Sequence, residues 1–331
     1  MKRHHLPLLF GFPLAIVTLL LASGSCTIEH REAPGDPSPP PPSLSKVEAG
    51  YVTSFDGARL YYQRVGDGPR VVIIPMGWRL FADFRALERT DRTLLFYDMR
   101  NRGRSDMILD PGKISIENDV RDLEAVRSHF GFERVSLIGS SYLGVVVAIY
   151  ASEHPSVVDR IVQIGPPGLP YTPQETSPAE LAGVPPNALA RLEELRSSGY
   201  AEENPREYCE EEWQITRVSL VGAPRIAHRL GASDCDLHTE RPPSLWPHLA
   251  ALTRSLEQID FALDDAGSLA VPLLVVHGTR DRHAPYAEGK HWAAAVPGAR
   301  LLTVEGAAHL PWVDQPGRVF GSISAFLDGA P

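Results

Sequence analysis

The sequence predicts an α/β fold, an eight-stranded, mostly parallel, doubly wound sheet with a helical cap inserted after the sixth strand. Short apolar runs alternate with amphipathic segments over most of the chain. A strand, a tight turn and a helix surround Ser141, and residues 166–265 are rich in proline and helical patterns without clear strands. Alternating strands and helices build a parallel sheet covered on both faces, because the crossovers are right-handed.

The first 25 residues are expected to be a signal peptide and to lie outside the fold. Lys2 and Arg3 precede the apolar run Leu6–Ala22, and small residues then lead to Cys26. This pattern resembles a bacterial lipoprotein signal, which makes Cys26 the predicted lipidation site and the protein a cell-envelope lipoprotein with a lipid anchor in the membrane. A plain secreted protein and a retained membrane helix are the alternatives.

Residues 26–45 are predicted to be a linker, because the segment Ala33–Ser43 is rich in proline. Proline-rich chains are extended and semi-rigid, so the linker would hold the domain away from a membrane. A tail without a role is the alternative. The core is expected to comprise residues 46–165 and 266–331, and the cap residues 166–265.

The core is expected to begin with a hairpin, because the Asp56-Gly57 pair favours a tight turn between two strand-like segments. The strands after the hairpin are wholly apolar, as is typical of strands buried on both faces. The predicted strands before the Ser141 turn are Gly50–Ser54, Arg59–Val65, Val71–Ile74, Thr93–Tyr97 and Val135–Ile138.

The helices of the same half alternate with these strands. The segment Gly144–Ala151 contains three consecutive valines, which favour a strand. Its place after the turn and before the Glu153-His154-Pro155 end favours a helix, and a helix is predicted. The predicted helices are Ala82–Arg89, Ser115–Phe130 and Gly144–Ala151.

The second half contains one strand before the cap, the helices of the cap, and a renewed alternation after it. Its predicted strands are Arg160–Ile164, Val271–His277 and Arg300–Val304. Its predicted helices are Ala188–Ser197, Arg206–Val218 and His248–Leu263 in the cap, then Tyr286–Ala295 and Arg318–Leu327 in the core.

The turn around Ser141 has the G-x-S form of a nucleophile elbow, with Gly139 two residues before the serine. Such a turn exposes the hydroxyl at the head of a helix, where the N–H of Tyr142 can stabilise an oxyanion. Ser140 is the poorer candidate, since it would place Ile138 and Tyr142 where small residues are needed. A serine that merely caps a helix is the alternative.

Two further motifs accompany the elbow, Asp119–Glu124 and His277–Asp281. Together they make the chain from about Gly50 to Leu327 resemble the α/β-hydrolase fold family, and the parts outside the cap are similar to its proline iminopeptidase branch. The resemblance implies hydrolysis of short peptides or aminoacyl amides at the amino terminus. A carboxylesterase for small apolar esters is the second hypothesis, and a binding module without catalysis is the third.

The resemblance also implies a triad of Ser141, Asp281 and His309, in the chain order of this fold. His309 follows the last predicted strand and would be the base. Asp281 follows the seventh strand and would orient His309. The other acid position of such folds, after Ile164, holds no carboxylate, which favours Asp281.

The chain departs from the family pattern at two places. Pro75-Met76 stands where the family has His-Gly in the loop that supplies the second oxyanion donor. Gly77 or Trp78 can present that N–H, and Gly77 is preferred. Leu143 stands where the family prefers glycine, and these departures are what favours the binding-module hypothesis.

The cap is predicted to shape the substrate pocket. Cap glutamates of proline iminopeptidases bind the substrate's amino group, and the acidic cluster around Cys209 contains Glu207 and Glu211. Trp213 and Trp246 are candidate pocket walls, and Trp78 is a further candidate for substrate binding. A solvated acidic helix face and core tryptophans are the alternatives.

Cys209 and Cys235 are predicted to form a disulfide, because an exported protein meets an oxidising compartment. Two buried thiols are the alternative. The chain has 331 residues and a net charge of −9 without a run of basic residues, which argues against a nucleic-acid partner. His228, His238 and His248 lack metal-ligand spacing, so no metal or cofactor is expected.

Overall fold

The computed structural model describes residues 46–171, 184–231, 235 and 245–329. The chain divides into two units, Met1–Leu44 and Ser45–Pro331. The predicted signal peptide, Cys26 and the proline-rich linker lie outside the described residues. Within the described ranges, no helix combines the length and the apolar character needed to cross a membrane.

The described strands form one eight-stranded sheet in the order β1-β2-β4-β3-β5-β6-β7-β8. β1 pairs with β2, and β2 with β4, in antiparallel fashion, and all later neighbours are parallel. The predicted fold is therefore confirmed. The strands are β1 Val47–Thr53, β2 Arg59–Val65, β3 Arg70–Pro75, β4 Arg92–Tyr97, β5 Val135–Ser140, β6 Val158–Ile164, β7 Leu273–Gly278 and β8 Arg300–Val304.

Helices follow most of the strands, and those numbered α4 to α8 lie in the insertion between β6 and β7. The helix predicted at His248–Leu263 corresponds to α7, which ends earlier than expected, at Gln258. The helices are α1 Gly77–Phe84, α2 Ile116–His129, α3 Leu143–Glu153, α4 Pro186–Ser197, α5 Tyr200–Glu203, α6 Pro205–Thr216, α7 Leu245–Gln258, α8 Leu263–Ala266, α9 Tyr286–Ala295, α10 Pro311–Asp314 and α11 Pro316–Leu327.

Helices cover both faces of the sheet. Neighbouring strand residues point to opposite faces, so alternate residues pack against different helices. Ile73 packs in the same apolar cluster as residues of α2 and α3. Its neighbours Val72 and Ile74 pack with residues of α1 and α11. The helix α3 is buried along its first nine residues, Leu143–Ala151, so tertiary packing outweighs the strand preference of its valines.

The helix α1 begins earlier than the sequence predicted. The expected helix was Ala82–Arg89, whereas α1 spans Gly77–Phe84. Met76 has a φ of 71° and a ψ of 40°, a left-handed conformation that turns the chain from β3 directly into the helix. Gly77 and Trp78 consequently lie in the first turn of a helix and not in an open loop.

Candidate active site

Ser141 lies in a sharp turn between β5 and α3. Its φ of 55° is left-handed, which is uncommon for a residue other than glycine. A Cβ on Gly139 would stand 2.2 Å from the carbonyl oxygen of Leu143, so this position requires glycine. Leu143 itself is fully buried in the cluster that contains α2 and α3. The turn therefore forms with leucine where the family prefers glycine.

Backbone donors flank the turn. The N–H of Ser141 donates to the carbonyl of Ile164 over 2.8 Å, and the N–H of Gly144 donates to the carbonyl of Ser141 over 2.8 Å. The N–H of Tyr142 meets no acceptor in the described part of the chain. It lies at the head of α3, where the helix dipole favours negative charge.

The head of α1 offers a second donor. The N–H of Trp78 donates to Asp98 Oδ1 over 2.6 Å and is already engaged. The N–H of Gly77 belongs to the first turn, whose donors have no intrahelical acceptor. This arrangement favours Gly77 over Trp78 as an oxyanion donor. The Trp78 indole is partly buried, and its Nε1 meets no acceptor among the described residues.

Asp281 and His309 form a buried pair. His309 Nδ1 lies 2.9 Å from Asp281 Oδ2. The other carboxylate oxygen accepts the backbone N–H groups of His283 and Ala284, each over 3.0 Å. His277 Nε2 lies 3.3 Å from Asp281 Oδ2. These bonds fix the carboxylate and leave His309 Nε2 as the ring nitrogen not bound to it.

Asp281 and His309 shift each other's pKa. Burial opposes the charged form of His309, but the charge of Asp281 and the hydrogen bond to it outweigh burial, so the pKa of His309 is raised. Burial tends to raise the pKa of Asp281. The charge of His309 and the hydrogen bonds from His277 and His309 outweigh it, so the pKa of Asp281 is lowered. Asp281 is thus ionised at neutral pH and favours a protonated His309 during a reaction.

The end of β6 connects Ser141 to this pair. Gly165 has a φ of 56°, and a Cβ there would lie 3.0 Å from Asp281 Oδ2 and 3.3 Å from His309 Nδ1. The preceding residue, Ile164, accepts the N–H of Ser141. Among the described residues, the Ser141 hydroxyl and His309 share no hydrogen bond, and such bonds are often long without substrate.

The cap residues predicted to bind substrate have varied surroundings. Glu207 is exposed on α6. Glu211 pairs with Arg191 at 3.4 Å. The Arg79 guanidinium lies 4.2 Å from the ring centroid of Trp213, which joins α6 to α1. None of the described contacts brings either glutamate to Ser141 or His309, so their role in substrate binding stays a prediction.

Cys209 and Cys235 are joined by a disulfide, with their Cα atoms 5.9 Å apart. The bridge ties α6 to the chain that follows the 3-10 turn Pro224–Arg229. The predicted pairing is therefore present in the structure.

Sequence reasoning did not identify Gly165, His283 or Asp314 as part of this region. A glycine directly after a buried strand was the available signal for Gly165, since glycine permits close approach of another chain segment. His283 and Asp314 gave no signal of their own. They reach the site only because separate strands end at the same edge of the sheet.

Comparison with known proteins gives matches over most of the described chain. A family model described as "alpha/beta hydrolase fold" matches residues 74–195, and one described as "TAP-like protein" matches residues 253–327. An esterase from Exiguobacterium antarcticum has a similar structure, with a TM-score of 0.61 and 17% identity over 85% of this chain and 100% of that one. At that identity the likeness concerns the fold alone.

Two sequence relatives are much longer than this chain. Bifunctional epoxide hydrolase 2 of Rattus norvegicus is 26% identical over 178 residues, which are 51% of this chain and 32% of that protein. Polyketide synthase ThaQ of Burkholderia thailandensis is 26% identical over 323 residues, which are 95% of this chain and 13% of that protein. The chain therefore spans a third or less of the length of these relatives.

Proposed function

We propose that this chain, which has the α/β-hydrolase fold, is a serine hydrolase that forms an acyl-enzyme on Ser141. The observation that carries the proposal is the buried Asp281–His309 pair, with Nδ1 2.9 Å from the carboxylate. The left-handed turn at Ser141 supports it further.

In the proposed mechanism, Ser141 attacks an acyl carbonyl while His309 Nε2 takes the hydroxyl proton. Asp281 holds the other ring nitrogen and stabilises the imidazolium that forms. The N–H groups of Tyr142 and Gly77 bind the oxyanion. His309 then gives the proton to the leaving group, and water activated by the same imidazole releases the acid.

The proposed substrate is a short peptide or an aminoacyl amide, cleaved at its amino terminus. The resemblance to the proline iminopeptidase branch supports this class. Within this proposal Glu207 is the candidate partner of the protonated amine, because this exposed carboxylate has no ion pair among the described residues. Glu211 is the weaker candidate, since Arg191 already pairs with it.

A carboxylesterase acting on small apolar esters is the second proposal. The structural similarity to an esterase is the observation that favours it. Ester hydrolysis uses the same serine, base and oxyanion donors but needs no carboxylate for an amino group, so the state of Glu207 distinguishes the two proposals.

A pair of substrates tests them, a proline arylamide and a short aryl ester. We expect turnover of the arylamide by the wild type. In Glu207→Gln the KM for the arylamide should rise about tenfold, since a charged hydrogen bond contributes on the order of 1.5–3 kcal/mol. The ester KM should not change.

Glu203→Gln is the matched control, because Glu203 is another exposed cap glutamate. Turnover of the ester alone would support the esterase. Turnover of neither substrate by a folded sample would favour the binding module, and Ser141→Ala should abolish both activities.

A further inference from the structure

The cap segment Ser219–Gly222, called the strap below, lies against the loop that carries His309. The N–H of Leu310 donates to the carbonyl of Leu220 over 3.0 Å. The residue directly after His309 is therefore fixed to the cap by a backbone hydrogen bond.

Asp314 makes the corresponding link on the other side of His309. Its Oδ2 accepts the N–H of Ala308 over 2.9 Å. The same carboxylate accepts the N–H of Gly222, with its two oxygens 2.9 Å and 3.1 Å from the nitrogen. Both neighbours of His309 in the chain are thus bound to the strap, one directly and one through Asp314.

The start of the strap contacts the loop that carries Asp281. Ser219 Oγ lies 2.8 Å from the carbonyl oxygen of Thr216, to which its hydroxyl proton is donated. The same oxygen lies 3.0 Å from His283 Nε2 and can therefore accept that nitrogen's proton. The His283 ring centroid is 5.2 Å from that of His309, so the strap touches both loops of the pair.

The strap fits closely at its other end. Arg280 Nη1 donates to the carbonyl of Gly222 over 3.2 Å. A Cβ on Gly222 would stand 1.9 Å from the carbonyl oxygen of Gly306. Any larger residue at position 222 would therefore push the strap away from the loop after β8.

We propose that Asp314 is a positioning residue for the His309 imidazole, and that it acts by joining the strap to the loop that carries His309. The inference rests on the proposed role of His309 as the base. His309 is in a loop between β8 and α10, and a loop side chain keeps a productive orientation only if its backbone is held. Displacement of a catalytic group by about 1 Å can reduce the rate on the order of 100-fold.

The test compares the wild type with Asp314→Asn and Gly222→Ala. Asparagine preserves the size of the side chain but removes its charge and replaces one acceptor oxygen by an NH₂ donor, so it binds the two N–H groups more weakly than the carboxylate does. Alanine at 222 displaces the strap without changing Asp314. In each variant we expect kcat to fall about tenfold or more while KM changes less than about twofold.

Two further readouts separate positioning from a general loss of structure. The double variant should lose little more than either single variant, because both remove the same link. The low-field NMR resonance of the His309 Nδ1 proton, which the wild type donates to Asp281, should weaken in both variants. Asp265→Asn is the matched control, since Asp265 also accepts a backbone N–H, that of Ala262 over 2.7 Å, within the cap.

The proposal is overturned if both variants retain the wild-type kcat and the NMR resonance, or if only KM changes. If the wild type hydrolyses nothing, the proposed function fails, and the resonance alone then decides the role of Asp314. A resonance that persists unchanged in Asp314→Asn would contradict the role in that case.

Discussion

At the scale of single residues, the account depends on how Asp281 and His309 shift each other's protonation. Asp281 is buried and accepts two backbone N–H groups in addition to His309. Because this carboxylate is shielded from solvent, its negative charge stabilises the protonated imidazole. The pair therefore holds His309 as a stronger base than an isolated histidine.

The pH dependence of kcat/KM should reflect this pairing. His309 must be neutral to accept the proton of Ser141, and its pKa is raised from the ordinary value of 6.5 by Asp281. Activity should consequently rise with pH, with a midpoint above 6.5. The pH profile of the wild type measures this midpoint.

In Asp281→Asn the causes that raise the pKa of His309 are gone, and burial alone lowers it. The midpoint should then fall below 6.5, and kcat should drop on the order of 10⁴-fold because the tautomer is no longer fixed. A wild-type midpoint below 6.5 would contradict the predicted coupling.

At the scale of secondary-structure elements, the end of β6 connects the serine turn to the pair. Ile164 accepts the N–H of Ser141, and Gly165 leaves room for Asp281 and His309. The glycine is required for two separate reasons, its left-handed φ and the closeness of the two side chains.

Gly165→Ala should therefore cause a large loss of kcat, and a loss of folding stability no larger than that of a glycine to alanine change elsewhere. The left-handed conformation costs a residue with a Cβ about 1–2 kcal/mol, and the new methyl group would displace Asp281 or His309. Gly298→Ala is the control, since Gly298 has a φ of 76° but no atom within 4 Å of an added Cβ.

Thermal unfolding and kcat are measured for both variants. We expect similar losses of stability, and a loss of activity of about tenfold or more in Gly165→Ala alone. Equal activity in the two variants would show that Gly165 does not limit the geometry of the pair.

Elements bounded by clear turn signals were predicted well from the sequence. The strands Arg59–Val65 and Arg300–Val304 and the helix Tyr286–Ala295 have the predicted bounds. The start of α1 was predicted wrongly, because the left-handed Met76 turns the chain into the helix at Gly77, and a methionine gives no local signal for that conformation. The elbow at Ser141 could be predicted, because the close backbone contact in the turn requires glycine two residues before the serine.

Residues that act through tertiary contacts could not be predicted in this way. Gly222 lies beside Gly306, and Asp314 beside Gly222, although more than eighty positions separate them in the chain. Sequence periodicity reports which face of an element is buried, but it does not report which distant segment covers that face. The oxyanion donor Gly77 could be proposed from its motif, whereas the engagement of the Trp78 N–H by Asp98 required the structure.

At the scale of the whole molecule, the candidate site lies where several strands end. Ser141 follows β5, Gly165 follows β6, Asp281 follows β7 and His309 follows β8. The carboxyl ends of parallel strands share one edge of the sheet, which is where open α/β sheets bind ligands. The insertion between β6 and β7 reaches this edge through its strap, which is bound to the His309 loop.

The central claim is that these parts make Ser141 an activated nucleophile. Fluorophosphonate labelling of residues 46–331, with the labelled peptide mapped by mass spectrometry, tests it most directly. The account predicts label on Ser141, loss of label in His309→Ala, and normal labelling in Ser140→Ala. A folded sample that takes no label, or takes it on another residue, would contradict the claim.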